Sequence, residues 1–312
     1  MIVTVTLNPS MDKTGKLKHF EHGGKNSIYD IVRDAAGHGI VAAKTLKALD
    51  REDPICTGFL GGINGERINM ILQGMGIQTD FVKIAGDTRT NLKVVEANGF
   101  VNEFNEPGPT INAYELEALK EKILGYASSE TVFLFSGSLP PGVPTDVYND
   151  WITEVKAKGA SVIVDVDTIA LKEAVKAKPD VVKPTKKRLE EFFDCEFSVD
   201  EEGMISMAKR IVETYGVTYV IVARGLMGAL CVTKEHVYRC TIPILPYSSP
   251  VGADAAMNAA LASGIRNHCS DPDAMKLALG IFMATCQKES TQAPTKEDVD
   301  KYREMVEVEV LE

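Results

Sequence analysis

The chain has 312 residues, 45% hydrophobic, 25% charged and 7% aromatic, which is the composition of a folded globular protein rather than a disordered or fibrous one. Its 44 Asp and Glu against 34 Lys and Arg leave a net charge of −10, the wrong sign for a surface built to neutralise a phosphate backbone, and this excludes nucleic acid as the main partner. No run reaches the roughly 18–20 apolar residues that cross a bilayer, and Met1–Leu7 has neither a basic n-region nor a cleavage site, so a cytoplasmic protein without a membrane partner is expected.

At about 100–200 residues per domain, the length admits two domains or one large α/β unit with an accessory element. Six cysteines (Cys56, Cys195, Cys231, Cys240, Cys269, Cys286) form no CxxC pair and have no histidine at metal spacing, so reduced, mostly buried thiols and no metal-ligand cluster are expected.

Taken in chain order, Ile2–Leu7 reads as a first buried strand, followed by an irregular stretch at Lys13–Arg33 and a helix over Ala42–Leu49. A helix over Glu66–Met75 precedes a hairpin signal, in which Asn91–Glu96 and Phe100–Phe104 flank the turn Ala97-Asn98-Gly99. Further buried strands are expected at Thr131–Phe135, Ser161–Val166, Asp180–Val182 and Val217–Val222. Helical periodicity marks Ala113–Tyr126, Thr145–Lys158, Ile169–Lys176, Glu202–Tyr215, Ala255–Arg266 and Asp273–Lys288, with a last helix and strand in Lys296–Glu312. This alternation argues for a doubly wound α/β sheet that binds ligands beyond the carboxyl ends of its strands. The two stretches outside the rhythm, about 13–33 and 88–105, are expected to form a small antiparallel sheet, a candidate lid.

Several motifs can carry chemistry at that edge. Asp12, closing Asn8-Pro9-Ser10-Met11-Asp12, is either a hydroxyl-binding carboxylate or a turn residue after proline. Gly37-His38-Gly39 precedes a helical pattern whose amides can receive an anion, and His38 adds a proton donor, a positive charge or only a solvated loop side chain. Gly58–Gly65 is a glycine-rich turn before a helix, while Arg89 and Asn91 put a guanidinium and an amide at the base of the hairpin. Ser136-Gly-Ser138-Leu-Pro-Pro-Gly follows a buried strand, where substrate crevices form or where turn chemistry alone suffices. Val251-Gly252-Ala253-Asp254 opens an Ala-rich helix as an anion hole with a nearby carboxylate, unless Asp254 is merely an N-cap.

In this order, Thr6–Asp12, Gly58–Gly65, Thr88–Asn91, Asn105–Gly108, Ser136–Pro144, Lys183-Pro184 and Val251–Ala260 resemble the sugar kinases of the phosphofructokinase B (ribokinase-like) family, closest to tagatose-6-phosphate kinases and 1-phosphofructokinases. The resemblance implies a ribokinase-like three-layer α/β/α sandwich over residues 1–312, with its lid inserted at about 13–33 and 88–105. It also implies Mg·ATP-dependent phosphoryl transfer to a sugar phosphate, and a homodimer formed through the lids. By matching position, Asp12, Gly37, His38, Gly39, Arg89, Asn91 and Ser138 face the sugar phosphate, and Lys183, Arg224, Gly225, Gly228, Gly252 and Ala253 lie near the nucleotide.

The departures concentrate on phosphoryl transfer. The family's Gly-Ala-Gly-Asp, whose Asp takes the substrate proton, reads Gly252-Ala253-Asp254-Ala255, so Ala255 stands at the base position and Asp254 is its doubtful substitute. The Lys-Pro-Asn-x-x-Glu motif that helps organise metal and phosphates reads Lys183-Pro-Thr185-Lys-Lys-Arg188, and His38 stands where the family has Lys. A general base is worth roughly 10²–10⁴ in rate. Two expectations follow: a sugar-phosphate kinase with weak or lost activity, or a pseudokinase that binds nucleotide and sugar phosphate without turnover.

Overall fold

The computed structural model describes Met1–Glu312. Its first half contains β1 (Ile2–Thr6), β2 (Ser10–Leu17), β3 (Tyr29–Ala36), α1 (His38–Ala48), β4 (Ile55–Gly61), α2 (Gly62–Gly74), β5 (Gln78–Thr79) and β6 (Val82–Ile84). There follow β7 (Arg89–Glu96), β8 (Val101–Asn105), α3 (Ala113–Tyr126), β9 (Val132–Gly137), α4 (Val147–Ala157), β10 (Ser161–Val166), α5 (Thr168–Ala174) and β11 (Val181–Val182). The chain ends with α6 (Lys186–Phe192), α7 (Glu201–Tyr215), β12 (Tyr219–Ala223), β13 (Ala229–Val232), β14 (Val237–Thr241), α8 (Ala253–Arg266), α9 (Asp271–Cys286), α10 (Lys296–Arg303) and β15 (Glu307–Val310).

An eleven-stranded sheet runs β15-β14-β13-β12-β11-β10-β9-β1-β4-β5, with β6 paired to β4. It is parallel from β5 to β12 and antiparallel from β12 to β15. Alternation along each strand divides its side chains between two helical layers. Phe133 and Phe135 of β9 belong to one core with Trp151 of α4 and Ile211 of α7, whereas Val132 and Leu134 belong to the other, with Leu46 of α1 and residues of α8 and α9. This is the three-layer α/β/α sandwich that the motifs imply, and no helix is long and apolar enough to cross a membrane. All six cysteines are free, with Cys56, Cys231, Cys240 and Cys286 buried.

The lid is a separate four-stranded sheet, β3-β2-β7-β8. It is larger than the expected 13–33 and 88–105, because β2 starts at Ser10 and β3 continues to Ala36. Asp12 therefore lies within a lid strand, three residues past Pro9, and not at the carboxyl edge of the main sheet. The hairpin forms as read: Val95 pairs with Val101, and Gly99 takes φ 88° in the turn.

Other boundaries also moved. α1 starts at His38 and not at Ala42, since Gly37 at φ 124° serves as its N-cap and brings His38 and Gly39 into the first turn. β4, β13, β14 and α6 were not expected as elements. The glycines in Ile55–Gly61 mask strand character, and Gly58 is there for a packing reason. It pairs with Thr6 at φ 142°, and a Cβ at that position would lie 1.9 Å from the Thr6 carbonyl oxygen.

Gly58→Ala is accordingly expected to separate β4 from β1 and to destabilise the protein by about 2–5 kcal/mol. Chemical denaturation of the variant measures this. An unchanged midpoint would mean that the sheet accommodates the methyl group by a backbone shift.

Candidate active site

The lid's register assembles one half of the site. β2 and β7 run parallel with Ser10 opposite Arg89 and Asp12 opposite Asn91, which places two motifs distant in sequence on neighbouring strands. Beneath them, between the lid and the carboxyl ends of β9 and β10, lies a cavity of about 410 Å³ with no hydrophobic residue in its lining. Asp12, Gly37, His38, Arg89, Asn91 and Ser138 all line it. Gly39 does not: it packs against the strand ends, and a Cβ there would lie 2.5 Å from Thr6 Oγ1 and 3.0 Å from Ser136 Oγ. Sequence reasoning missed Asn8, Ser10, Lys93, Asp167 and Arg188 in the same lining.

These side chains are already held in place. Ser10 Oγ donates to Asp12 Oδ1 at 2.6 Å, Lys93 Nζ lies 2.7 Å from Asp12 Oδ2, and Asn91 Nδ2 donates to Ser10 Oγ at 3.0 Å. Arg89 donates from Nη1 to the Glu106 carbonyl at 2.8 Å and from Nη2 to the Asn8 carbonyl at 2.9 Å. Two neutral carbonyls fix the guanidinium without cancelling its charge, an arrangement suited to an anion. Asn8 Oδ1, Asn91 Oδ1 and Arg89 Nε are buried without a partner, and buried polar atoms of this kind are normally satisfied.

The other half is built on Asp165, the penultimate residue of β10, whose side chain is inaccessible to solvent. Its Oδ2 accepts from Asn258 Nδ2 at 2.7 Å and sits 3.1 Å from His38 Nδ1 and 3.3 Å from Lys183 Nζ; its Oδ1 accepts from Arg188 Nη1 at 3.0 Å. Burial by itself would raise the carboxyl's pKa, but Lys183, His38 and Arg188 outweigh it and hold Asp165 well below the ordinary carboxylate range. The Lys183 ammonium, equally buried, is held above its ordinary value, because Asp165 and Asp254 more than offset desolvation. The remaining His38 nitrogen, Nε2, has no protein partner and is not among the buried polar atoms, so in this ring, about one-third exposed, it faces the cavity.

Lys183 Nζ donates to Asp254 Oδ2 at 2.9 Å, which links this centre to a second cavity of about 570 Å³. Arg224 and Gly225 line that cavity with Lys186, Lys187 and Asp254. Lys183, Gly228, Gly252 and Ala253 are not in its lining. Ala253 is buried, Gly228 permits close approach of the Cys240 carbonyl, and Gly252, at φ 80°, turns the chain into α8. The amides of Asp254 and Ala255 in the first turn of α8 make no hydrogen bond within the protein. Asp254 is absent from the lid-side lining, and Ala255 is buried in the core under α8.

Asp200 and Glu201 line this second cavity as well, and Glu201 pairs with the Arg224 guanidinium, so the two lysines are the cations there that an anion can engage. A magnesium ion held by the protein does not fit. No three carboxylate, histidine or cysteine side chains converge as a ligand set, and Asp165, Asp167 and Asp254 are each engaged by Lys183 or Arg188.

The pfkB family carbohydrate kinase model matches residues 6–298. The 1-phosphofructokinase of Borreliella burgdorferi is 32% identical over 289 residues, 92% of each chain. A tagatose-6-phosphate kinase of Staphylococcus epidermidis is 29% identical over 310 residues, 99% of each chain. The crystal structure of phosphofructokinase-2 from Escherichia coli in complex with substrates and products matches with a TM-score of 0.91 at 28% identity, covering 97% of this chain and 98% of that one. With a family match that runs from the end of β1 into α10, on a fold whose lid and strand ends assemble the family's motifs in one place, the chain belongs to the pfkB family of carbohydrate kinases.

Proposed function

We propose that this chain binds a hexose monophosphate, such as tagatose 6-phosphate or fructose 1-phosphate, beneath the lid and a nucleoside triphosphate in the neighbouring cavity, and that phosphoryl transfer between them is strongly attenuated. The observation that carries this reading is the ion-paired series Asp165–Lys183–Asp254, which runs from His38 and Arg188 in the lining of the wholly polar lid cavity to the cavity lined by Lys186, Lys187 and Arg224. Arg89 is the anion anchor of the sugar site, and Asp12, fixed by Ser10 and Lys93, accepts from sugar hydroxyls.

Attenuation follows from position 255. A methyl group stands where the relatives' motif supplies a base, and the neighbouring Asp254 turns to Lys183 on the nucleotide side. Among the residues lining the lid cavity, His38 offers a ring nitrogen, Nε2, backed through Nδ1 by Asp165. The burial of Ala255 also favours a second reading, in which both ligands bind and no transfer takes place.

ADP release from Mg·ATP is expected to be stimulated by tagatose 6-phosphate, fructose 1-phosphate or fructose 6-phosphate at a rate about 10²–10⁴ below the ordinary kinase range of about 1–100 s⁻¹. A rate within that range would overturn the attenuated reading, and sugar phosphate binding with no release would establish the second one.

The residual rate is expected to follow His38. His38→Gln should lower it at least about tenfold while sugar phosphate affinity, measured by calorimetry, stays within about threefold. Loss in Asp254→Asn instead would return the role of base to Asp254.

The lid supports a homodimer. Ile31 and Phe104 are exposed, and strand alternation puts both on the lid face opposite Asp12 and Asn91. Light scattering on the purified protein should give the mass of two chains, and Ile31→Asp combined with Phe104→Asp should give the mass of one. A monomeric parent protein would remove this part of the reading.

A further inference from the structure

The centre around Asp165 is filled with cations supplied by the chain itself. Arg188 lies in the first turn of α6, where its backbone amide donates to Thr185 Oγ1 at 3.2 Å. Its guanidinium forks between two carboxylates, Nη1 to Asp165 Oδ1 at 3.0 Å and Nη2 to Asp167 Oδ1 at 3.1 Å. The other Asp165 oxygen is shared by Asn258, His38 and Lys183. For a divalent ion to reach Asp165 it would have to displace charge-assisted hydrogen bonds from a side chain with no solvent access. Thr185 is likewise committed, its hydroxyl serving as the cap of α6.

The charge balance agrees with the geometry. Arg188 stands at the position where the family motif has Glu, so the exchange adds two positive charges to this centre, the charge of one magnesium ion. Lys186 and Lys187 extend from the same helical turn into the lining of the second cavity; their nearest carboxylates, Glu190 and Glu191, are 3.8 Å away, so both ammonium groups can turn to an anion. The Asp254 amide, at the start of α8 and without a partner in the protein, adds a donor to this cavity beside the two lysines.

We propose that this chain binds its nucleotide without a divalent metal, with Arg188, which lines the adjoining lid cavity and not the second one, as the resident cation of the Asp165 centre between the two. The inference rests on the assignment of the second cavity to a nucleotide. Isothermal titration calorimetry with ATP and with ADP, on the full-length protein in excess magnesium and again in EDTA, tests it. The affinity of the parent protein in EDTA should be equal to or tighter than in magnesium, or weaker by no more than about threefold. A larger loss in EDTA overturns the proposal.

Arg188→Glu, checked for folding by circular dichroism, should bind at least about tenfold more weakly in EDTA and recover in magnesium. If that variant does not fold, Arg188→Gln, which removes the charge without reversing it, should show the same loss in EDTA with smaller amplitude; full affinity in EDTA in either variant overturns the role of Arg188. No binding of either nucleotide by the parent protein in either buffer overturns the nucleotide reading itself, an outcome distinct from a magnesium-dependent one.

Discussion

A buried carboxylate, Asp165, is the constraint on which the rest of the site depends. Taking one ionised carboxylate out of water costs several kcal/mol, and only well-placed opposite charge and hydrogen bonds offset that. Here the compensation comes from four parts of the chain: His38 at the start of α1, Lys183 just after β11, Arg188 on α6 and Asn258 on α8. They meet because β10 lies between β9 and β11 in the parallel sheet, so that the loops and helices leaving the carboxyl ends of adjacent strands face the same point. Asp165 therefore links folding to the site. The cations that make its burial tolerable also line or border the cavities, and withdrawing one of them would leave charge uncompensated in the protein interior.

The lid is tied to the entry of α8 by a second polar network. Lys44 of α1 is fully buried, and burial pushes its pKa down even though Asp34 lies beside it. Its ammonium donates to Asp34 Oδ1 and the Ala35 carbonyl in β3, and to Thr291 Oγ1 in the segment after α9. Thr291 donates to Asp34 in turn, while Thr14 meets Ser290 and Lys16 pairs with Glu289. A Cβ on Gly252 would lie 3.1 Å from the Thr291 Cγ2, so one short segment contacts both the root of the lid and the entry to α8. The lid and the first turn of α8 are thus not independent; a displacement of residues 289–291 bears on both.

Much of this was legible in the sequence because the relevant signals are local. The apolar runs at Ile2–Leu7 and Ser161–Val166, the Asn-Gly turn of the hairpin and the periodicity of Ala113–Tyr126 each report short-range physics, and each element forms where it was read, to within a residue or two. What escaped was set by tertiary contact. β4 contains glycine because a backbone neighbour requires it, and α6 is a single short helix capped by Thr185. Asp165 and Asp167, the carboxylates at the end of a strand that was correctly placed, carried a usable signal: two acids at the carboxyl edge of an α/β sheet. Their role could not be assigned without the register that brings His38, Lys183 and Arg188 to them, residues separated from Asp165 by 127, 18 and 23 positions.

The same distinction between spacing and geometry governs the base. In sequence, Asp254 is one residue from the position where the family carries its aspartate, a displacement that a single deletion would repair. On an α-helix of 3.6 residues per turn, one residue is a rotation of about 100°. At the start of α8 that rotation decides between a cavity and the core, turning Asp254 to Lys183 and the second cavity and leaving Ala255 packed in the core. A carboxylate so placed serves electrostatics rather than proton transfer, since it already accepts a hydrogen bond from a buried ammonium. At position 188, where the resemblance places Glu, Arg forms internal ion pairs with Asp165 and Asp167.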